Sequence, residues 1–443
     1  MNLVTKQLNV VTYVRSYLKK IKKQNISEFK SVFCYFSTWA PCPGLSKLRS
    51  LEQSFFGNLS LFFSIFKGII SISRQSNFKI INNKIRNKKT KLIVTWAYKN
   101  NFLPNGSLQD RYFNTNSRII KEAVWYVIYM DEEIPKKIDK NIILLYNKNF
   151  FFKYNLFYLI KIIYQNFLRN GFSIKKIFHS LSSNITISNL IVDSVNKEIE
   201  TERIEKLIIP YEAQPFQRNL INEFKRKNKK VITIGYVHDV QALPVHYAPL
   251  EGLPDILLLH SLDQKKYLIK YLKWPKKNIK LIPSMRFIQK SKNLDSKIFL
   301  PNTIVNSKII IKEFENFLEL SKKKSIPKLN VKIHPTSENM NKQIKLKSKL
   351  ESIISNYGDR FDKNKKNRLS IVIGLTSSVV EILEHNIKVL HISSEPVFEC
   401  YNQIFWPSIK TTQISKYIFI YKIVRKNNSL RFGTKKNQLK KYC

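Results

Sequence analysis

The chain has 443 residues and a mass of 52.4 kDa, enough for two domains of ordinary size. An apolar content of 43% and an aromatic content of 12% exclude wholesale disorder, and only ten glycines argue against repeats or low-complexity spacers. The net charge of +46, from 77 Lys and Arg against 31 Asp and Glu, attracts anionic surfaces and ligands in general, but the basic residues are spread along the whole chain and accompany no nucleic-acid-binding motif. The excess is mostly Lys, beside abundant Asn, Ile, Phe and Tyr, the residues of an A+T-biased coding sequence.

In chain order, residues 1–28 read as a basic helix whose start lacks a long apolar core or a small-residue cleavage site, so it does not read as a signal peptide. Residues 31–38 read as a strand and 45–75 as an apolar helical region. Its stretch 55–72 contains Asn58, Lys67 and two glycines and is barely long enough to span a bilayer, so it reads as a buried or interfacial helix. Residues 76–90 read as a charged link. Strands are expected at 91–98, 124–130 and 141–146, with a polar loop at 100–113 and a helix at 115–122. Residues 150–169 form an aromatic basic helix, either a core helix or one lying on a membrane surface.

A second run of alternating elements follows: strands at 205–212, 230–239, 255–260, 279–287 and 307–311, helices at 216–227, 262–272 and 312–323, and then residues 329–392. A helix from Thr411 to Val424 and a basic tail close the chain. Such alternation implies an α/β fold with parallel sheets. The four cysteines (Cys34, Cys42, Cys400 and Cys443) have neither zinc-ribbon nor CxxC spacing, so reduced thiols in a cytoplasmic protein are expected.

The stretch 329–392 carries the clearest chemistry. Lys332-Ile333-His334-Pro335 ends one short apolar strand, and Gly374-Leu375-Thr376-Ser377-Ser378 leads from another into a helix. Helix starts offer N–H groups and partial positive charge, and hydroxyls add donors; ordinary capping is the other reading. His334 falls at the edge where open α/β sheets bind ligands, and suits a phosphate or a leaving group. Lys332 lies on the same strand face.

Upstream, Glu212 ends a strand as a candidate base or as a carboxylate facing a helix N-terminus. His238-Asp239 is an alternative base or orienting pair. Asp110, beside Arg111 on the first-half loop, is a second candidate base, or a member of a local salt bridge on that loop. Arg286 suits bidentate recognition of a carboxylate or phosphate, or pairs with an acidic neighbour. No DxD-like metal motif is present, so no metal and no cofactor beyond a nucleotide substrate is expected.

These motifs resemble those of a known class. His334-Pro335 and Ser377-Ser378 resemble the HP and SS motifs of bacterial GT-B glycosyltransferases, including capsule sialyl-, polysialyl- and Kdo-type transferases that use CMP-activated sugars. Tyr211-Glu212-Ala213-Gln214-Pro215-Phe216, Gly235-Tyr236-Val237-His238, Pro254-Asp255, Ser284-Met285-Arg286-Phe287 and the loop from Gly106 to Phe113 are similar to segments of surface carbohydrate biosynthesis proteins. The likeness spans roughly residues 91–400. Phe216 and Gln217 stand where a Trp and an acidic residue are usual, and Asp239 where a small polar residue is usual.

The resemblance implies a GT-B-like architecture, two Rossmann-like domains facing a central cleft. Residues 1–200 would be the acceptor side, 201–410 the nucleotide-sugar side and 411–443 a closing helix and tail. It implies phosphate contacts from His334, Ser377 and Ser378, and the reading of the two loops adds Lys332, Pro335 and Thr376 as nucleotide or phosphate contacts. Substrate contacts would come from Arg111, Gln214, Asp239 and Arg286, and a base from Glu212, Asp110 or His238. The expected partners are a nucleotide-sugar, a glycan or lipid-linked acceptor and an anionic membrane surface, with no specific nucleic acid. The expected site is the cytoplasm or the inner face of the plasma membrane. A nucleotide-sugar epimerase or hydrolase on the same fold, or a non-catalytic polyanion- or membrane-binding protein, stands as the alternative.

Overall fold

The computed structural model describes residues 2–22, 78–81, 90–131, 133–147, 160, 164, 183–289, 296–362 and 369–443. The strand expected at 31–38, the helical region 45–75 with its stretch 55–72, and all of the 150–169 helix except residues 160 and 164 lie outside them. Among the described residues no helix is long and apolar enough to cross a membrane.

The first sheet has eight strands in the order β1-β6-β5-β2-β7-β8-β9-β10. They are β1 (Phe78–Ile81), β2 (Lys91–Ala97), β5 (Ala123–Tyr129), β6 (Ile142–Asn147), β7 (Lys206–Pro210), β8 (Ile232–Tyr236), β9 (Ile256–Leu259) and β10 (Ile279–Leu281). All pairings are parallel except β1 with β6. Every residue of β5 is buried, as a central parallel strand with both faces covered requires. A small hairpin of β3 (Gln109–Asp110) and β4 (Thr115–Asn116) sits in the loop after β2.

The second sheet has the order β13-β11-β15-β16-β18-β17. β11 (Lys297–Phe299), β13 (Asn330–Lys332), β15 (Leu369–Ile373) and β16 (Lys388–Ile392) pair in parallel. β17 (Ile409–Gln413) and β18 (Ile418–Ile423) add an antiparallel hairpin, and β12 (Ile326–Pro327) pairs separately with β14 (Phe361–Asp362). The described α-helices are α1 (Leu3–Lys22), α2 (Ser183–Glu198), α3 (Pro215–Lys227), α4 (Leu262–Lys270), α5 (Ser307–Leu320), α6 (Asn341–Asn356), α7 (Ser378–Glu384) and α8 (Pro396–Glu399). The architecture is the two-unit, Rossmann-like arrangement around a cleft that the sequence implies.

Several expectations are corrected. Strands on both sides of residue 200 share the first sheet, because β7 bonds directly to β2 with Lys91 opposite Lys206. The division between sheets therefore falls after β10, and Glu212, His238 and Arg286 belong to the first unit. Residues 307–311 open α5 instead of forming a strand. Asn306 caps that helix by accepting from the Ile309 N–H, and Ile310, Phe314 and Leu318 bury one face at four-residue spacing. Residues 411–424 form most of the β17–β18 hairpin, where β-branched and aromatic residues bury Ile418, Phe419 and Tyr421 against β16. Residues 115–122 are a strand end and a 3-10 turn. There Asn116 Oδ1 accepts the Arg118 N–H and Ser117 Oγ accepts the N–H of Leu108 in the preceding loop, side-chain bonds that hold a turn in place of a helix. The link 76–90 contains β1, and α2 and β11 have no counterpart among the expected elements.

Two segments tie the units together. After β18 the chain returns to the first unit: the Ser284 N–H donates to Arg431 O, the Arg431 N–H to His260 O, and Leu439 enters the first unit's core. At the other end, Gln7 on α1 donates to the carbonyls of Val397 and Cys400 beside α8 (2.9 and 2.8 Å). Val10, Val11 and Val14 on the same helix are buried in the shared core.

Candidate active site

A cleft of about 470 Å³ lies between the units. Its lining comes from the segments just beyond the C-terminal ends of β2, β5, β7, β8 and β10 on one side and β11, β13, β15 and β16 on the other. That is the edge where open α/β sheets bind ligands.

The first wall centres on Glu212. Pro210 ends β7 and α3 begins at Pro215, so four residues must turn the chain. Ala213 adopts a left-handed backbone (φ 55°), unusual for a residue with a β-carbon. Gln217 holds the turn: its Oε1 accepts from the N–H groups of Glu212 (2.9 Å) and Gln214 (3.0 Å), while its Nε2 donates to Pro210 O (2.7 Å). An acidic residue there could not make the last bond. Phe216 meets Trp96 edge-on at 5.4 Å.

The turn brings Glu212 against His238, with Oε1 3.1 Å from His238 Nε2, while Oε2 accepts from Gln214 Nε2 at 2.6 Å. Both Glu212 and His238 are buried, and Tyr112 packs edge-on against the imidazole at 4.5 Å. His238 Nδ1 has no hydrogen-bond partner among the described residues. Asp239 lines the cleft too, but its oxygens accept from Gln241 (2.6 Å) and Tyr247 (2.9 Å). Burial opposes its ionisation, and the charges of His238 and His246 with those hydrogen bonds outweigh it, so its pKa is lowered. It holds the loop after β8.

Asp110 and Arg111 are not among the lining residues. Asp110 is buried, accepting from Thr95 Oγ1 at 2.6 Å and from the Phe113 N–H at 2.7 Å, and burial pushes its carboxyl up to about 6 despite those bonds. It anchors the loop that presents Tyr112. Arg111 is exposed.

On the second wall β13 delivers Lys332, Ile333 and His334, and a 3-10 turn over Pro335–Ser337 follows. Burial, reinforced by the charges of Arg286 and Lys332, lowers the His334 pKa to about 4. The imidazole is therefore neutral at neutral pH, in a place already rich in positive charge. Arg286 stands between the walls, its charge felt by both Tyr112 and His334. Its position is fixed by the N–H groups of Met285 and Arg286 donating to Tyr236 OH (2.9 and 3.2 Å).

The loop after β15 turns at Gly374, whose φ of +62° and 3.0 Å approach to Pro301 disfavour a β-carbon. His391, buried on β16, contacts Gly374 O through Nε2 (2.8 Å) and Tyr421 OH through Nδ1 (3.0 Å). A carbonyl can only accept, so Nε2 carries the proton. Thr376 Oγ1 accepts from the Ser378 N–H at 3.2 Å and contacts the Ser378 hydroxyl at 3.1 Å. Ser377 Oγ accepts from the Val240 N–H at 3.1 Å, joining the two units. With seven residues, α7 offers little end charge, so the attraction for an anion rests on Lys332, Arg286 and their neighbours more than on the helix.

The expected residues brought together are thus Glu212, Gln214, His238, Asp239, Arg286, Lys332, His334, Pro335, Thr376, Ser377 and Ser378, while Asp110 and Arg111 stand apart. Sequence reasoning missed the aromatic residues Trp96, Tyr98 and Tyr112 on the first wall, and Glu381, Glu395 and Glu399 on the second. Their signal was available for Trp96, Tyr98 and Glu395, which lie at or just beyond the ends of parallel strands.

No protein-family model matches the chain, and no curated protein sequence matches it. Among solved structures it is similar to the α,α-trehalose 6-phosphate synthase of Burkholderia multivorans, with 8% identity, 70% of this chain and 83% of that chain covered, and a TM-score of 0.36.

Proposed function

We propose that the chain is a GT-B-type glycosyltransferase that moves a sugar from a nucleotide-activated donor to a hydroxyl acceptor. The observation that carries this reading is a single cleft with the buried Glu212–His238 pair on one wall and Lys332, His334 and the Ser377–Ser378 loop on the other, bridged by Arg286. The acceptor binds along Trp96, Tyr98 and Tyr112, whose ring faces suit the apolar faces of sugars. Its oxygen attacks the anomeric carbon as the bond from that carbon to the donor phosphate breaks. The proton passes to Glu212, which His238 and Gln214 hold in place. The charge left on the phosphate is met by Lys332, Arg286, His334 and the Ser377–Ser378 loop. No metal takes part in this scheme.

The finer reading is a CMP-linked donor, a surface polysaccharide or lipid-linked acceptor, and work at the inner face of the plasma membrane. The motif resemblance supports the first two and the net charge of +46 supports the third. A thermal-shift panel of CMP, CDP, UDP and GDP tests the reading first: one nucleotide raises the melting temperature of the wild type, and His334→Ala abolishes that rise. Unchanged donor turnover in both His334→Ala and Ser377→Ala would remove the phosphate assignment. Turnover that yields free or epimerised sugar when an acceptor mixture is supplied would replace transfer by hydrolysis or epimerisation.

A further inference from the structure

Glu384, the last residue of α7, is buried and is not among the residues lining the cleft, yet both of its carboxylate oxygens accept hydrogen bonds. Oε2 accepts from the Asn427 N–H (2.6 Å). Oε1 accepts from the Ser429 and Leu430 N–H groups (3.1 Å each) and from the Ser429 hydroxyl. Residues 427–430 thus wrap one side chain, and Asn427 takes a left-handed backbone (φ 61°) to do so. A carboxylate suits this place because both oxygens accept; an amide would set its NH2 against one of the N–H groups. A buried charge is costly to leave without its donors, so the clasp is firm.

The clasped segment leads back to the cleft from the other unit. Asn428 O accepts from the Leu262 and Asp263 N–H groups at the start of α4 (2.8 and 3.1 Å). Residues 431–433 then run beside the loop that carries Arg286. The Ser284 N–H donates to Arg431 O (2.8 Å), the Gly433 N–H to Phe287 O (2.8 Å) and the Gln289 N–H to Gly433 O (3.0 Å). Gly433 leaves room for this pairing, since a β-carbon there would stand 2.1 Å from Ser284 O. The other end of α7 begins at Ser378, beside Ser377, about 9 Å along the helix from Glu384. One frame therefore runs from the Ser377–Ser378 loop through α7 and Glu384 to residues 427–433 and on to Arg286. Its two ends face one cleft from two units.

We propose that Glu384 is a positioning residue: by clasping residues 427–430 it sets the gap between Arg286 and the Ser377–Ser378 loop, so that one donor phosphate is met from both units at once. The proposal rests on the nucleotide-sugar reading above. Lys332 lies on β13, outside this frame, and reaches the phosphate from the second unit whether or not the clasp holds. A charge-assisted hydrogen bond is lost once donor and acceptor are more than about 3.5 Å apart. A loosened clasp therefore removes the Arg286 contact and spares the Lys332 contact.

A double-mutant cycle tests this. Glu384→Gln keeps the Ser429 and Leu430 bonds on its carbonyl and sets its NH2 against the Asn427 N–H. Isothermal titration of the wild type with CMP, CDP, UDP and GDP finds the tightest binder. That nucleotide is then titrated into Glu384→Gln, Arg286→Ala, Lys332→Ala and the two double variants that contain Glu384→Gln. Glu384→Gln is expected to weaken binding about tenfold at unchanged stoichiometry. Added to Arg286→Ala it costs less than about twofold more, because the contact it acts through is already gone; added to Lys332→Ala the losses multiply to about a hundredfold. A purely structural role gives the same factor in both backgrounds. Unchanged affinity in Glu384→Gln, or equal multiplication with Arg286→Ala and Lys332→Ala, overturns the proposal and leaves the glycosyltransferase reading standing. If Glu384→Gln does not fold, Ser429→Ala, which loses the hydroxyl bond alone, enters the same cycle with an expected loss of about threefold and is judged by the same two comparisons. A wild type that binds none of the four nucleotides overturns both.

Discussion

Glu212 on the first wall has both carboxylate oxygens in hydrogen bonds and is buried, whereas Lys332 on the second wall, and Arg286 between the walls, are exposed. The first wall is preorganised: Gln217, Gln214, Tyr112 and the Asp239–Tyr247 bond fix side chains before anything binds. The second wall holds its backbone firmly through Gly374 and His391 but leaves charges open to solvent. The difference separates a wall suited to moving a proton from one suited to receiving an anion, because fixed geometry serves the first task and unsatisfied charge the second.

The largest effect expected from breaking that contrast is on chemistry. Glu212→Gln should lower the transfer rate ~10²–10⁴-fold while nucleotide affinity stays within about twofold, measured by donor turnover and titration. A parallel fall in nucleotide affinity would put Glu212 on the binding side. Next, Lys332→Ala and Arg286→Ala should each weaken nucleotide binding ~10-fold or more, with a smaller deficit at high salt, because each removes a charge-assisted contact of about 1.5–3 kcal/mol.

Asp110→Ala sharpens the comparison within the first wall. It should cost about 1–3 kcal/mol of unfolding free energy in urea, since two buried hydrogen bonds are lost, and reduce turnover far less than Glu212→Gln when corrected for folded protein. A loss of turnover as large as that of Glu212→Gln would restore Asp110 as a base.

The last prediction concerns acid stability, which depends on buried groups in both units. His246, His334 and His391 are held at about 4 and His260 at about 3, all below the usual 6.5, so the unfolded chain binds protons first and stability falls as pH drops from 6.5 towards 4. Asp110 and Glu399, raised to about 6, act in the opposite sense, their contribution growing as pH falls below 6. Burial raises Asp193 and Asp263 as well, whereas Glu223, Asp239 and Asp255 are lowered and lose stability on acidification alongside the four histidines, so the melting temperature should drop between pH 6 and 4; a rise over that interval would contradict the burial of the histidines.

The α/β alternation, the strands β2, β5, β7, β8 and β15, and the two phosphate-suited loops were legible because each is a local pattern of apolar runs followed by polar turns. The 307–311 and 411–424 segments were not, since short runs of β-branched and aromatic residues fit either helix or strand until a neighbour decides. Asn306 and the core settle the first as helix, and pairing with β16 settles the second as hairpin. The boundary at residue 200 failed for a related reason: β7 joins β2 across more than a hundred residues of chain, and no local signal records a sheet partner.

Sequence alone determined which residues have chemistry to offer. Glu212, His238, Lys332, His334 and the Ser377–Ser378 pair follow strands whose ends are written in the pattern of apolar residues. Tertiary structure decided how that chemistry is distributed. It retired Asp110 into a loop anchor, gave Gln217 the turn and turned Ser377 into a bridge between units. It also clasped the segment after β18 to the end of α7 through Glu384. Burial and hydrogen-bond satisfaction depend on neighbours hundreds of residues away, so only the folded chain fixes which polar groups are spent and which remain open to a ligand.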